Sequence, residues 1–475
     1  MPQDLTSAQE TQLAALVAVY PVADELGDRF EAAGHELYLV GGCVRDTLLR
    51  GAGSQDLDFA TSATPVESER LLAGWADHVW LTGARFGTVS AHKAGIDLEI
   101  TTFRADTYEA GSRHPSVEFG RDITDDLARR DFTMNAMAVR VPEHRFIDPF
   151  GGLRDLKDRI LRTPIDPEIS FGDDPLRMVR LARFAAVLDA EPEEGVRKAA
   201  TAMADRLDEI SRERLRAELD KLIVGDTVER GLDLLCETGL ADRFIPEIPA
   251  LQMQRDPVHH HKDVYRHSIA VVRGCDSSDR ILRLAALLHD IGKPATREFQ
   301  GGGKVTFHHH EVAGARMARK RLKVLRYPGD EIDDICHLIA MHLRFHGYAD
   351  NPWTDSGVRR YVRDAGREEQ LRRLNELTRA DVTTQNQRKA RRLQDAMDDL
   401  ERRIAELQQQ EEIAAIRPPL DGNEIMAHLG LEPGPLVGTA RQALLEARLD
   451  RGPMSEEEAY TVLDEWAAEH GLRSE

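Results

Sequence analysis

Two carboxylates stand two residues apart in Asp56-Leu57-Asp58-Phe59-Ala60, a run otherwise apolar. Period-two geometry predicts Asp56 and Asp58 on one face of a strand, with Leu57 and Phe59 on the other. Side-by-side carboxylates repel, so the pairing suits a divalent cation, and hard oxygen donors favour Mg2+ shared with a triphosphate. Such an ion would neutralise the triphosphate, activate an attacking hydroxyl and stabilise a pyrophosphate leaving group. Glu99, in Asp97-Leu98-Glu99-Ile100-Thr101, lies in a second alternating run and offers a third carboxylate. Upstream, Leu37 to Val40 leads into Gly41-Gly42 and a helix start at Cys43 to Leu49, where backbone N–H groups can face a phosphate.

Two further pairs have spacings that could read a nucleotide. Asp131 and Asn135 stand at i and i+4 on a predicted helix, offering an acceptor and a mixed donor/acceptor to a sugar hydroxyl, with Arg129 and Arg130 near phosphates. Taken alone, the same Asp131 reads equally well as a helix cap. Asp174 and Arg177, three apart on a predicted helix, share a face. A carboxylate accepts from an exocyclic amine while a guanidinium donates to a ring nitrogen. Cytosine and adenine both present that pattern, and uracil and guanine present its reverse. A surface ion pair is the other reading of this spacing.

The elements that must position these groups change character along the chain. Up to about Ile165, short β-type runs (Leu37 to Val40, Leu57 to Ala60, Thr88 to Ala91, Leu98 to Phe103) alternate with glycine turns and helical patterns. From Asp173 onward helical periodicity dominates, and Arg388 to Glu412 reads as one long amphipathic helix with Leu393, Met397, Leu400, Ile404 and Leu407 on its stripe. Pro246, Pro249 and Pro418-Pro419 punctuate the helical part. The 475 residues carry a formal net charge of −20, which excludes a globally basic nucleic-acid binder; any polyanion must meet a local basic surface. Arg372-Arg373 and Arg388-Lys389 with Arg391-Arg392 are basic clusters suited to an RNA backbone or to solvent. Cys43, Cys236, Cys275 and Cys336 form no C-x-x-C pair, which argues against a disulfide framework or thiolate zinc site. The polar N-terminus MPQDLTSAQE and the lack of an apolar run long enough to span a bilayer predict a cytoplasmic protein without membrane association.

In order along the chain, Leu39-Val40-Gly41-Gly42-Cys43-Val44-Arg45-Asp46-Thr47-Leu48-Leu49 and Asp56-Leu57-Asp58-Phe59-Ala60-Thr61 resemble the opening motif of the class II tRNA nucleotidyltransferases and bacterial poly(A) polymerases. Arg129-Arg130-Asp131-Phe132-Thr133-Met134-Asn135-Ala136 resembles the ribose-recognition motif of that family, and Asp148-Pro149-Phe150-Gly151-Gly152-Leu153 its head-to-neck spacer. Asp173-Asp174-Pro175-Leu176-Arg177 resembles the templating motif, departing from the family's Glu at Asp173. Ser211-Arg212-Glu213-Arg214-Leu215 matches the last motif, a neck helix with basic side chains near RNA. The resemblance implies a polymerase-beta-like α/β (α+β) head over 1–165, a helical neck over 166–250, an HD body over 251–385 and a helical tail over 386–475. It implies template-independent addition of C, C and A to the tRNA 3′ end from CTP and ATP. Catalysis would fall to Asp56, Asp58 and Glu99, with Mg2+ on the first two. Nucleotide binding would fall to Gly41, Gly42, Arg45, Asp46, Arg129, Arg130, Asp131, Asn135, Asp174, Arg177 and Arg180. Arg104 to Gly120 corresponds to the family's flexible loop, thought to switch C to A addition, and reads equally as a plain connection.

A second constellation lies downstream. His289-Asp290, adjacent on a predicted apolar helix, is costly to bury unless something satisfies both groups, and a divalent metal does so. With His267 and Asp381 on separate predicted helices, the set resembles the ligand quartet of HD-domain phosphohydrolases. His310 and His342 fall where HD enzymes with a second metal keep extra histidines. Mixed N/O ligation suits a divalent transition metal, and the resemblance implies phosphoester hydrolysis or a retained structural body. Two rivals share these residues: a poly(A) polymerase, and an HD phosphohydrolase with a nucleotide-sensing head. Oligomeric state is left open.

Overall fold

The structure is a computed structural model that describes residues 21–51, 56–106, 117–119, 122–252, 263–300, 304–345, 347–348, 351–382, 387–411 and 418–472. The chain divides into two compact units, Met1–Phe244 and Ile245–Glu475.

In the first unit, helix α1 (Pro21–Ala32) buries Val22, Ala23, Leu26 and Phe30. Strand β1 (Leu37–Val40), helix α2 (Gly42–Arg50) and strand β2 (Asp56–Thr61) follow. After helix α3 (Pro65–Leu72) come β3 (His78–Trp80), β4 (Thr88–Lys93) and β5 (Ile96–Thr102). A short hairpin of β6 (Arg104–Asp106) and β7 (Val117–Phe119) leads to helix α4 (Ile123–Ala128), then β8 (Ala138–Val141) and β9 (Arg145–Ile147). The rest of the predicted switching loop, residues 107–116 and 120, lies outside the described residues.

Seven strands form one mixed sheet in the order β3-β4-β5-β2-β1-β8-β9, with β2 and β5 parallel and the other pairs antiparallel. Alternation sorts each strand between two faces. Leu57, Phe59, Leu98, Ile100 and Val89 are buried on one. On the opposite face an apolar cluster of Tyr38, Val40, Ala60 and Ala138 packs with Ile123 and Leu127 of α4. Asp58, two residues before Ala60, shares this second face, beyond the part α4 covers.

Helix α5 (Gly152–Asp158) takes its N-terminal contacts from Asp148, which accepts from the N–H groups of Gly152 (2.7 Å) and Leu153 (3.0 Å). The neck is helical: α6 (Pro167–Asp173), α7 (Leu176–Leu188), α8 (Glu194–Ala202), α9 (Arg212–Ile223), α10 (Val228–Glu237) and α11 (Leu240–Phe244). Helix α7 is apolar on most of its circumference and packs against α9 and α10.

In the second unit, α12 (Val264–Gly274), α13 (Arg280–Leu288), α14 (His310–Val324), α15 (Gly329–Met341), α16 (Asp355–Ala365) and α17 (Glu368–Asp381) form a helical body. The predicted long helix is α18 (Gln387–Glu411); its Met397, Leu400, Ile404 and Leu407 are buried, whereas Leu393 is only half-buried. Helices α19 (Gly422–Leu429), α20 (Pro435–Arg451) and α21 (Glu456–Glu469) close over a core of their own containing Ile425, Leu444, Leu463 and Trp466. Among the described residues, no helix is long and apolar enough to cross a membrane.

Candidate active site

The turn from β1 into α2 depends on Gly41, whose φ of 77° is left-handed, and a Cβ there would sit 2.9 Å from Nη1 of Arg130. As N-cap, Gly41 supplies no side chain to the first turn of α2, leaving its N–H groups available to an anion. The same ideal Cβ lies 3.7 Å from Oδ2 of Asp58, so the helix terminus, the Arg130 guanidinium and the Asp58 carboxylate converge. The parallel register sets Asp58 beside Glu99 and Asp56 beside Asp97. Glu99 is exposed and Asp58 half-buried, so both can take an external ligand; the Asp56 side chain lies outside the described residues. Cys43 is not a nucleophile: burial, with the Asp58 charge added, pushes its thiol up to about 11.

Gly41, Cys43, Asp58 and Arg130 line one cavity of about 860 Å³ with Gly42, Arg45, Asp46, Arg129, Asp131, Asn135, Asp174, Arg177 and Arg180. A relay of bonds fixes its wall. Arg45 donates to both oxygens of Asp46 (2.8 Å each) and, through Nη1, to Oδ1 of Asn135 (2.6 Å). Asn135 donates to Asp131 (2.8 Å), which also accepts from the Phe132 N–H (2.8 Å) and pairs with Arg180 (2.5 Å). Burial alone would raise the Asp131 pKa, but Arg180, Asn135 and the Phe132 N–H outweigh it and hold the carboxyl below its ordinary value. Both Asp131 oxygens are thus engaged within the protein. The predicted helix through Asp131 and Asn135 is absent: a bend precedes a 3-10 turn at Thr133–Asn135. The Thr133 N–H donates to the Arg162 carbonyl (2.8 Å) and its hydroxyl to Asp155 (2.7 Å), drawing the chain off an α path.

Asp174 and Arg177 do not share a helix either. Pro175 disfavours α geometry in the residue before it, and Asp174 is extended (φ −143°, ψ 99°) between α6 and α7. There its carboxylate accepts from the Leu176 N–H (3.2 Å) and from Nη2 of Arg214 (2.9 Å). Arg177 donates to the Ser170 hydroxyl (2.9 Å) and carbonyl (3.1 Å), and to the Arg129 carbonyl. Both side chains still border the cavity. Two cationic groups that the sequence pattern does not assign to the site, Arg183 and Arg214, also bear on it. Arg183 pairs with the buried Glu218 (3.0 Å) and lies over the Phe184 ring (4.0 Å), which Arg45 also approaches (5.2 Å). Arg214 was assigned only to RNA. The signal was present for Arg183: Arg177, Arg180 and Arg183 recur every three residues, one stripe of α7.

In the second unit, His267, His289, Asp290, His310, His342 and Asp381 meet. Nε2 of His267 is 3.0 Å from Asp381 and 3.4 Å from Asp290; Nε2 of His289 is 3.2 Å from Asp290; Nε2 of His310 is 3.3 Å from Asp290. His289, His310 and His342 each place Nδ1 on a backbone carbonyl three residues back (2.8, 2.8 and 2.7 Å), which leaves Nε2 facing inward. His289-Asp290 does not ride on a helix face as predicted but follows the last turn of α13, with His289 as its C-cap. Gly292 makes this turn fit: a Cβ there would lie 2.2 Å from the His310 carbonyl oxygen, so α14 can approach only a glycine. Lys293, unremarked in the sequence, reaches Asp290 at 2.6 Å. Burial lowers the His289 pKa, yet Asp290 and Asp381 more than offset it and bring it to about 8. Burial beside His289 drives His342 down to about 3. Buried Asp290 Oδ1 and His310 Nε2 make no hydrogen bond. His267, His289 and Asp381 present their donor atoms within 4.8 Å of one another, as do His289, Asp290 and His342. The donor set therefore fits a divalent metal.

Residues 37–162 match the family described as the Poly A polymerase head domain, 191–251 the probable RNA and SrmB-binding site of polymerase A, and 260–405 the HD domain. An A-adding tRNA nucleotidyltransferase of Deinococcus radiodurans is 35% identical over 443 residues, 91% of this chain and 95% of that one. A CCA-adding enzyme of Limosilactobacillus fermentum is 40% identical over 230 residues, 48% of this chain and 56% of that one. The crystal structure of the Bacillus stearothermophilus CCA-adding enzyme in complex with CTP superposes with a TM-score of 0.71 at 26% identity, covering 95% of this chain and 99% of that one. With head, RNA-binding and HD regions in one order and a relative matched along nearly its whole length, the chain belongs to the tRNA nucleotidyltransferase and poly(A) polymerase family.

Proposed function

We propose that this protein adds C, C and A in turn to the 3′ end of tRNA from CTP and ATP, releasing pyrophosphate, without a nucleic-acid template. The observation that carries the reading is a single cavity bordered by Asp58, by the uncapped start of α2 and by the Asp174 and Arg177 side chains. One nucleotide can then meet a reacting end and a base-reading end together. Nucleotidyl transfer in this family is metal-dependent, and the carboxylates of neighbouring strands are hard donors that fit it. Asp56 and Asp58, with Glu99 beside them, would hold Mg2+, which supplies charge neutralisation and activation of the RNA 3′ hydroxyl when bound. The first turn of α2 and Arg130 receive phosphate oxygens. Arg45, Asn135, Asp131 and Arg180 keep the wall rigid around the ribose. Asp174 accepts from the exocyclic amine and Arg177 donates to the ring nitrogen, which admits cytosine and adenine. The CTP complex of the Bacillus stearothermophilus relative supports this substrate class, and a tRNA-processing role fits a cytoplasmic protein.

The test is incubation with Mg2+, labelled CTP or ATP, and tRNA transcripts ending before CCA, after CC and after CCA. Stepwise addition that stops at CCA is expected. Asp58→Ala should abolish incorporation of both nucleotides while tRNA still binds; retained turnover would remove Asp58 from the metal site. The Deinococcus radiodurans relative favours a second reading, addition of the terminal A alone, which would leave transcripts lacking CC unextended. Unlimited A addition would instead indicate a poly(A) polymerase. The HD cluster supports a phosphohydrolase side activity on phosphoesters at RNA ends, using a divalent transition metal held by His267, His289, Asp290 and Asp381, with His310 and His342 toward a second ion. Asp290 Oδ1 and His310 Nε2 face each other at 3.3 Å, buried and without a hydrogen bond, a placement that favours a resident metal there. Phosphatase turnover that survives Asp58→Ala and is lost in Asp290→Ala would support it.

A further inference from the structure

The row of residues through Asp58 continues past the carboxylates to the edge of the sheet. β2, β5, β4 and β3 lie side by side, and their registers pair Asp58 with Glu99, Glu99 with Ser90 and Ser90 with Trp80. Cross-strand partners share a face, so Trp80 stands on the Asp58 face, three strands away, roughly 14 Å at ~4.8 Å per strand. Helix α4 covers this face over Tyr38, Val40, Ala60 and Ala138. Over β5, β4 and β3 no described element covers it: Glu99 is exposed, Ser90 is half-buried and Trp80 keeps 47% of its surface in solvent. The neighbouring row carries Asp97, His92 and His78, and the His78 ring lies 6.0 Å from the indole. Neither row carries an arginine or lysine, so these two rows offer an aromatic plane rather than a grip on phosphates.

We propose that Trp80 is a stacking platform for an unpaired base of the RNA strand, a few nucleotides upstream of the 3′ hydroxyl that reacts beside Asp58. The proposal rests on the nucleotidyl-transfer reading above. Its occupant follows from continuity with the reaction site: the acceptor must lay its 3′ end on the Asp58 face, and the strand behind that end leaves over whatever the face leaves uncovered. Stacked bases rise about 3.4 Å each, so roughly 14 Å is about four stacked bases, and fewer of an unstacked, extended strand. A duplex presents no free base plane, whereas an unpaired end does. An indole at a sheet edge, on a strand of only three residues, supplies such a plane without depending on sequence.

The experiment compares wild type, Trp80→Ala and Trp80→Phe in steady-state ATP addition to tRNA ending in CC. Trp80→Ala should raise the KM for tRNA about 5- to 100-fold, the range of one lost base-aromatic stack, with kcat and the KM for ATP held. Trp80→Phe, which keeps a ring, should restore most of the tRNA affinity. In parallel, a short oligonucleotide ending in CC should quench tryptophan fluorescence more in wild type than in Trp80→Phe. An unchanged tRNA KM in Trp80→Ala would overturn the platform. Should Trp80→Ala melt, the Phe variant decides, and equal quenching with and without Trp80 would overturn the proposal. Absence of incorporation by wild type would count against the transfer reading alone, because the quenching comparison needs no turnover.

Discussion

Asp174 shows how one side chain joins structure to specificity. Extended ahead of Pro175 and held by Arg214 at 2.9 Å, it keeps a carboxylate at the rim of the cavity. Asp174→Asn keeps the size but can present N–H groups where only lone pairs stood. The KM for CTP and ATP should rise by roughly 10- to 100-fold, the worth of a hydrogen bond to a charged group, while UTP incorporation relative to CTP increases. Competition between labelled nucleotides on a tRNA lacking CCA reads this directly, and unchanged C over U selection would remove Asp174 from base reading. Asp131 acts differently, through stability. Its pKa is held below the ordinary value in the folded state by Arg180, Asn135 and the Phe132 N–H against the opposing effect of burial. A depressed carboxyl stabilises fully above its unfolded pKa, about 3.9, and loses that contribution as pH falls through the folded value. Melting curves of wild type and Asp131→Asn should therefore differ most at pH 5 to 7, and the difference should start to shrink only below about pH 4, as pH falls toward the folded value.

At the scale of elements, α7 and α9 are joined by a nearly dry ion pair, Arg183 with Glu218, whose side chains retain 11% and 9% exposure. Removing one partner of such a pair leaves a charge without compensation, at a cost of about 3 kcal/mol. Glu218→Ala should lower the urea midpoint accordingly and also disturb nucleotide binding, because Arg183 lines the cavity over Phe184. A midpoint equal to wild type would show that the pair makes no net contribution to stability. What could be seen in the sequence divides along the same line between local and distant. The alternation in Asp56-Leu57-Asp58 and the glycine turn before α2 are properties of a few consecutive residues, and both strand and helix form where the pattern puts them. The pairing of Asp58 with Glu99 depends on the register of β2 against β5, across more than forty residues, and no local pattern specifies it. The i,i+3 spacing of Asp174 and Arg177 predicts a shared helix, but Pro175 restricts its predecessor and takes Asp174 out of it. Its partner Arg214 lies forty residues on, a meeting made only by the packing of the neck.

At the scale of the molecule, a chain of net charge −20 handles polyanions by concentrating cations where they are needed: Arg45, Arg129, Arg130, Arg177 and Arg180 border one cavity. The reacting groups and the histidine-aspartate cluster fall in different compact units, Met1–Phe244 and Ile245–Glu475, each with its own core. Metal binding to the native cluster stabilises the unit that contains it by mass action, about 2.7 kcal/mol at a free concentration a hundredfold above the dissociation constant. With Mg2+ present throughout to supply the transfer site, micromolar Mn2+ or Ni2+ should raise the melting temperature of wild type, and chelation should reverse the shift. His289→Ala removes an inward Nε2 from both ligand groups of the cluster, so the same titration should leave its melting curve in place and its bound transition metal should fall below one equivalent by elemental analysis. CTP incorporation by His289→Ala should persist, since the groups around Asp58 belong to the other compact unit. An equal Mn2+ or Ni2+ shift in His289→Ala would mean the ion binds elsewhere. Loss of CTP incorporation in a folded His289→Ala protein would mean instead that the two chemistries are coupled.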